Sequence, residues 1–165
     1  MKRFLLATAA IAGGLIAQGA NAAFTNQTSS TLGASATVST ACTIDSTAPI
    51  AFGEVNLGAT ATDQTGTISV TCTNDGSFNI GMGAGLHDVS GQHVLKSGSY
   101  SLNYNLYQDV DHAVAWNNTG AGLEANTGTG SSVDYTVYGE IPGSQAIKSG
   151  NGTPYTDTVT VYVNY

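Results

Sequence analysis

The stretch DTVTVYVNY, residues 157–165, alternates without a break. Val159, Val161, Val163 and Tyr165 fall on one face of an extended chain. Thr158, Thr160, Tyr162 and Asn164 fall on the other. A period of two in β-branched and aromatic residues is the pattern of a strand with one buried face. A strand this apolar needs a neighbour on each edge, and the sequence ends at Tyr165. The reading therefore expects one edge to be covered by an earlier segment or by another chain.

Working outward, the other runs repeat the theme. Residues 66–73 (GTISVTCT) put Ile68, Val70 and Cys72 on one face. Asn74-Asp75-Gly76 is a tight-turn signal, and residues 77–82 follow with Phe78, Ile80 and Met82 inward. Residues 99–109 place Tyr100, Leu102, Tyr104 and Leu106 together, and residues 133–141 do the same for Val133, Tyr135 and Val137. A first strand is expected over 35–45, in phase with Ala34, Ala36, Val38, Cys42 and Ile44. A short strand over 49–55 would bury Phe52 and Val55. Residues 57–65, 83–97, 117–132 and 142–154 read as loops. About seven strands with frequent turns and few helix-forming segments describe an all-β chain, best fitted by an antiparallel immunoglobulin-like sandwich.

The chain starts differently. Lys2 and Arg3, an apolar run from Phe4 to about Ala17, and the small-x-small triplet Ala20-Asn21-Ala22 spell a secretory signal over residues 1–22. The run is too short and too glycine-rich for a membrane span, and no second apolar run follows, so no direct membrane insertion is expected. Beyond the signal stand two lysines, Lys96 and Lys148, against eleven acids, a formal charge of −9 with no arginine. A basic surface for nucleic acid or anionic lipid cannot be built from that inventory. In an exported chain the even pair Cys42 and Cys72 reads as a disulfide, closing a loop worth roughly 3–4 kcal/mol in the chain-entropy model.

Chemistry-bearing patterns are sparse. There is no nucleophile elbow. Gly81-Met82-Gly83-Ala84-Gly85 echoes a phosphate loop but precedes no helix. His87, His93 and His112 show no ligand spacing. Asp109-Val110-Asp111 lacks the glycine and distal glutamate of a calcium loop. Trp116, beside Asn117 and Asn118, fits core packing or a sugar-stacking platform. No catalytic, cofactor or metal residue is expected.

Several blocks, taken in order, carry a resemblance. They are the Cys42 strand, Phe52-Gly53, GTISVTCT (66–73), GMGAG (81–85), LNYNLYQD (102–109), Trp116, TVYGEIPGSQ (136–145) and YTDTVTVYVNY (155–165). Together the chain resembles the spore coat protein U domain family, which includes pilin subunits of archaic chaperone–usher pili. Two positions depart from it. Gly91-Gln92-His93 lacks an arginine usual before the YNLY block, and Glu140 stands where a basic residue is frequent.

The resemblance implies an incomplete immunoglobulin-like sandwich that lacks its last strand. It implies that a periplasmic chaperone, and then the N-terminal arm of the next subunit at an outer-membrane usher, supplies it, a form of β-augmentation. On that basis the chain divides into a signal (1–22), a donor-strand extension (23–33) and a sandwich domain (34–165). Phe24, Leu32, Ala34 and Ala36 form the donor face, and Val159, Val161, Val163 and Tyr165 line the acceptor groove. The expected protein is no enzyme. It is a structural subunit of a surface fibre that supports adhesion or biofilm formation. A secreted coat or carbohydrate-binding sandwich that fills its own groove with its own arm is the alternative.

Overall fold

The computed structural model describes residues 26–165 except 57, 59 and 151. The expected signal and Phe24 therefore lie outside the described residues. Two units divide at Ala36 and Thr37. In the first, residues 26–36 form no regular element and are exposed, and Leu32 is 96% exposed.

The second unit, Thr37–Tyr165, contains eight strands among the described residues: β1 (Cys42–Ala48), β2 (Ala61–Cys72), β3 (Ser77–Met82), β4 (His93–Ser97), β5 (Tyr100–Tyr107), β6 (Glu124–Thr127), β7 (Ser132–Pro142) and β8 (Val161–Asn164). They form a five-stranded sheet, β1-β2-β7-β5-β4, and a three-stranded sheet, β6-β3-β8, with every pairing antiparallel. Ile68, Val70, Leu102, Tyr104, Leu106, Val137 and Ile141 project from the first sheet, and Phe78, Ile80 and Met82 from the second, into one core. Trp116 enters it from a loop, 1% exposed, and its Nε1 donates to the Ile80 carbonyl at 3.0 Å. That donor–acceptor pair lets an indole be buried without an unpaired N–H, and it places the tryptophan in the core rather than on a sugar-stacking surface.

The turn at Asn74-Asp75-Gly76 forms, with Asp75 at φ 60° and Gly76 N donating to Thr73 O at 3.0 Å. It joins strands of different sheets, β2 and β3, so it is a corner of the sandwich. The disulfide joins Cys42 and Cys72, directly opposite one another on β1 and β2. The bridge therefore lies within one sheet. β1 begins later than expected, and its register slips between Ile44 and Ser46. This bulge leaves Asp45 on the outer face, where Ser132 and Thr71 hydroxyls each donate to its carboxylate at 2.6 Å. Those two bonds, Ser132 first, hold the Asp45 carboxyl below its ordinary range.

Residues 49–55 form no strand. Pro49 cannot donate a ladder hydrogen bond, and Gly53 takes φ 70°. Ile50, Phe52 and Val55 nevertheless pack against the core. Room for them comes from glycines on the inner face of the sheet. A Cβ on Gly66 would meet Ile50 Cγ1 at 2.8 Å, and one on Gly139 would meet Phe52 Cζ at 2.9 Å. Two further strands, β4 and β6, lie in segments read as loops.

Candidate functional site

The run into β8 changes sheets. Lys96 and Thr156 exchange backbone hydrogen bonds of 2.9 and 3.0 Å, which attaches Thr156 to β4 of the larger sheet. Two residues later the Thr158 carbonyl accepts from Leu86 N at 2.9 Å, and the Thr160 carbonyl accepts from Gly83 N at 2.8 Å. These bonds continue into the β3–β8 ladder, where Met82 faces Val161 and Ile80 faces Val163. Asp157 is the pivot between the sheets. Its carboxylate, whose side chain is 1% exposed, accepts from Tyr104 OH at 2.8 Å and from His87 N at 3.1 Å. Gly85 passes so close to this carboxylate that no side chain would fit there. Burial, and then the hydrogen bond to Asp157, raise the Tyr104 hydroxyl far above its ordinary range.

β8 has β3 on one side only, and β1 has β2 on one side only. Both are edges, of different sheets. In an antiparallel ladder the backbone groups of alternate residues point to the same side. Because Thr158 and Thr160 bond toward β3, the N–H and C=O groups of Val159, Val161 and Val163 point to the open edge. Their side chains are half-buried, whereas Thr158, Thr160, Tyr162 and Asn164 are exposed, as the alternation requires. Between the two edges lies a cavity of about 290 Å³. Val159 and Val161 form one wall, and Thr47, Ala48, Pro49, Ile50 and Phe52, running out of β1, form the other. Ile68, Met82, Leu106 and Val137 form the floor. The core is thus reachable through a slot lined mainly by apolar side chains, with Thr47, Thr67, Tyr104 and Asp157 the polar groups on it.

Four expected groove residues therefore fall into two groups. Val159 and Val161 line the cavity. Val163 packs against the core further along β8, and Tyr165 lies beyond the strand, 67% exposed. Ile50, Pro49 and Phe52 were not expected as groove residues. The signal available for them was an apolar segment, PIAF, with no alternating partner. Of the expected donor face, Leu32, Ala34 and Ala36 are exposed.

The histidines have separate fates. His93 is buried against Tyr104, with ring centroids 5.1 Å apart, and burial depresses its pKa more than the neighbouring carboxylates Asp157 and Asp88 raise it. His87 Nδ1 lies 3.2 Å from Asp157 Oδ1. The Asp109 carboxylate is taken up by the turn it begins, accepting from Ala113 N at 3.0 Å and Val114 N at 2.8 Å. His112 lies on the outer face of the larger sheet beside Asp63 and Glu140.

Two facing antiparallel sheets, with a slot between an edge of each, define an immunoglobulin-like β-sandwich open along one seam. The chain belongs to the Spore Coat Protein U domain family, which it matches over residues 28–162. It is 34% identical over 110 residues to "Protein U" of Myxococcus xanthus, a match covering 61% of this chain and 59% of that protein. Among solved structures it resembles one chain of the chaperone–tip adhesion subunit pre-assembly complex, CsuC-CsuE, from archaic chaperone-usher Csu pili of Acinetobacter baumannii. That likeness has a TM-score of 0.50 and 22% identity, covers 78% of this chain and 40% of the other, and concerns the fold. Among the described residues no helix is long and apolar enough to cross a membrane.

Proposed function

We propose that this chain is a structural subunit of an exported surface fibre, assembled when a strand from another chain fills the slot beside β8. A periplasmic chaperone provides that strand first. The N-terminal arm of the next subunit replaces it at an outer-membrane usher, and the fibre serves adhesion or biofilm formation. The observation that carries this reading is the pairing of an open ladder edge with an apolar slot. Val159, Val161 and Val163 offer backbone groups to a strand, and the side chains of Val159 and Val161 line the floor-to-rim wall that such a strand would cover. An inserted strand satisfies both demands together. The arm supplies a suitable face, because Phe24, Leu32, Ala34 and Ala36 share one phase. The membership of the family and the fold shared with a chaperone–subunit complex support it.

Deleting residues 23–33 tests it. The full chain is expected to form linear polymers that survive mild denaturant, and the shortened chain to form none while still binding a chaperone. A full chain that is a stable monomer without chaperone points instead to a groove filled by its own arm, and refutes the polymer reading.

A further inference from the structure

We propose that Asp63, His112 and Glu140 form a binding site for a first-row divalent metal ion, best suited to zinc, on the outer face of the five-stranded sheet. The site is independent of the slot. On β2 the inner face is set by Ile68, Val70 and Cys72, which puts Asp63 outward. On β7 the buried Gly139 and Ile141 flank Glu140 and turn it outward too.

The ladder places Asp63 directly opposite Glu140. Like charges in that position repel, and a sheet ordinarily avoids the pair. Neutralisation has few sources here. Among the described residues the permanent cations are Lys96 and Lys148, and neither is ion-paired with these carboxylates. What the fold brings to the pair is an imidazole. One ligand atom from each of Asp63, His112 and Glu140 lies within 4.8 Å of the other two. Three ligands at ~2.0–2.2 Å from a tetrahedral zinc stand about 3.3–3.6 Å apart, so closure asks each group to move inward by less than about an ångström, within the reach of side-chain torsions.

Two of the three groups are also held in place. Tyr107 OH donates to Glu140 Oε2 at 3.0 Å, which orients the carboxylate. The same ring stacks on His112 with centroids 4.6 Å apart and an interplanar angle of 23°. The loop bearing His112 is fastened by the Asp109 carboxylate and by His112 N donating to Asp109 O at 3.2 Å. Such outer contacts are what fix ligand geometry in metal sites. One imidazole with two carboxylates suits zinc or a neighbouring transition ion, and three protein ligands leave room for water. Calcium, which takes six to eight oxygens, is poorly served.

Equilibrium dialysis of residues 23–165 against zinc chloride, with millimolar calcium and magnesium present, tests the assignment in whatever assembled state the chain adopts. One zinc ion per chain is expected. Asp63→Asn, His112→Ala and Glu140→Gln should each weaken binding by about tenfold or more. His87→Ala should leave it unchanged, and Trp116 fluorescence verifies that each variant is folded. Zinc should also raise the thermal midpoint of the parent chain and leave that of Glu140→Gln where it was. The assignment is overturned by absence of saturable binding below ~100 μM zinc, where linkage to stability would already register. It is equally overturned by binding that survives the His112→Ala, Glu140→Gln double variant.

Discussion

Replacing Val161 by aspartate puts the slot to its hardest test. Val161 faces Met82 across the β3–β8 ladder, is half-buried, and lines the cavity. With the slot empty, a carboxylate there can still reach water, so the open fold should tolerate it. With a strand laid over it, the remaining burial of the valine is lost, about 1 kcal/mol of the 1.5–3 that full burial contributes. The carboxylate must in addition be desolvated, at several kcal/mol. Among the described residues no lysine, arginine or histidine lines the slot, and the one charged neighbour there is Asp157, of the same sign. A combined loss of about 4 kcal/mol corresponds to roughly a thousandfold in affinity.

The assay refolds the arm-deleted, disulfide-bonded chain in increasing concentrations of a peptide of residues 23–36. Trp116 is the sole tryptophan and sits in the core, so its fluorescence reports folding. The peptide concentration needed at the midpoint gives the affinity by linkage. Val161→Thr, which adds one unpaired hydroxyl, should lose about tenfold, from the ~1–2 kcal/mol cost of that group. Tyr162→Asp, on the exposed face of the same strand, should lose less than threefold. Peptide binding by Val161→Asp within threefold of the parent would remove the slot as the donor site. So would an equal loss in Tyr162→Asp.

Three further outcomes follow from the geometry. Reducing or replacing the Cys42–Cys72 bridge, which spans 30 residues of chain, should lower stability by roughly 3–4 kcal/mol, measured as a shift in the urea midpoint. Gly139→Ala drives a methyl against Phe52 and Ile50, the wall of the slot opposite β8. It should therefore cost ~1–3 kcal/mol of stability and weaken the peptide more than a similarly destabilising change far from the slot, such as loss of the disulfide. Acidification acts through His93. Its folded pKa lies below its unfolded value because it is buried, so the unfolded chain binds the extra proton first. The associated stability is fully present above the ordinary histidine pKa of 6.5 and is lost as pH falls below it. His93→Phe should flatten the pH dependence of the urea midpoint between neutral and mildly acid solution.

How much of this was legible in the residues varies with the range of the physics. The alternation in 157–165, 66–73 and 77–82 is local, and it gave the correct face of each strand, including the half-buried valines of β8, but not the place of Tyr165, which lies past the strand's end and is exposed. β4, HVLKS, was missed because it is short, lies at the edge of its sheet and follows a glycine-rich loop. β6, EANT, has no apolar alternation at all and pairs only with β3. The segment 49–55 has strand-like composition, yet it packs as coil because glycines on β2 and β7 make a bed for its side chains, a complementarity between distant positions. The cysteine pairing could be read from number and compartment, but its place within one sheet depends on the β1–β2 register. Asp63, His112 and Glu140 stand on three elements far apart in the chain, and only topology brings them together.

The two edges bordering the slot are not equivalent, and the difference decides which one a donor pairs with. β1 has the devices that blunt an edge: a bulge at Asp45, an outward carboxylate, and Pro49 just past its end. β8 has none of these. From Thr158 to Asn164 it holds no charge, proline or glycine, and its free backbone groups repeat every second residue beside an apolar wall. An undefended edge of this kind is a hazard for a chain that stays alone and a docking rail for one that does not. A donor strand should therefore take its ladder from β8 and lay only side chains toward β1. Amide exchange separates the two edges. On filling the slot, the N–H groups of Val159, Val161 and Val163 should gain protection of at least a hundredfold, the kinetic signature of amides newly locked in a stable ladder. Those of Ile44 and Thr47 on β1, which point away from β2, should change little. Protection appearing first on β1 would mean that the bulge does not block pairing and that the donor runs along the opposite wall.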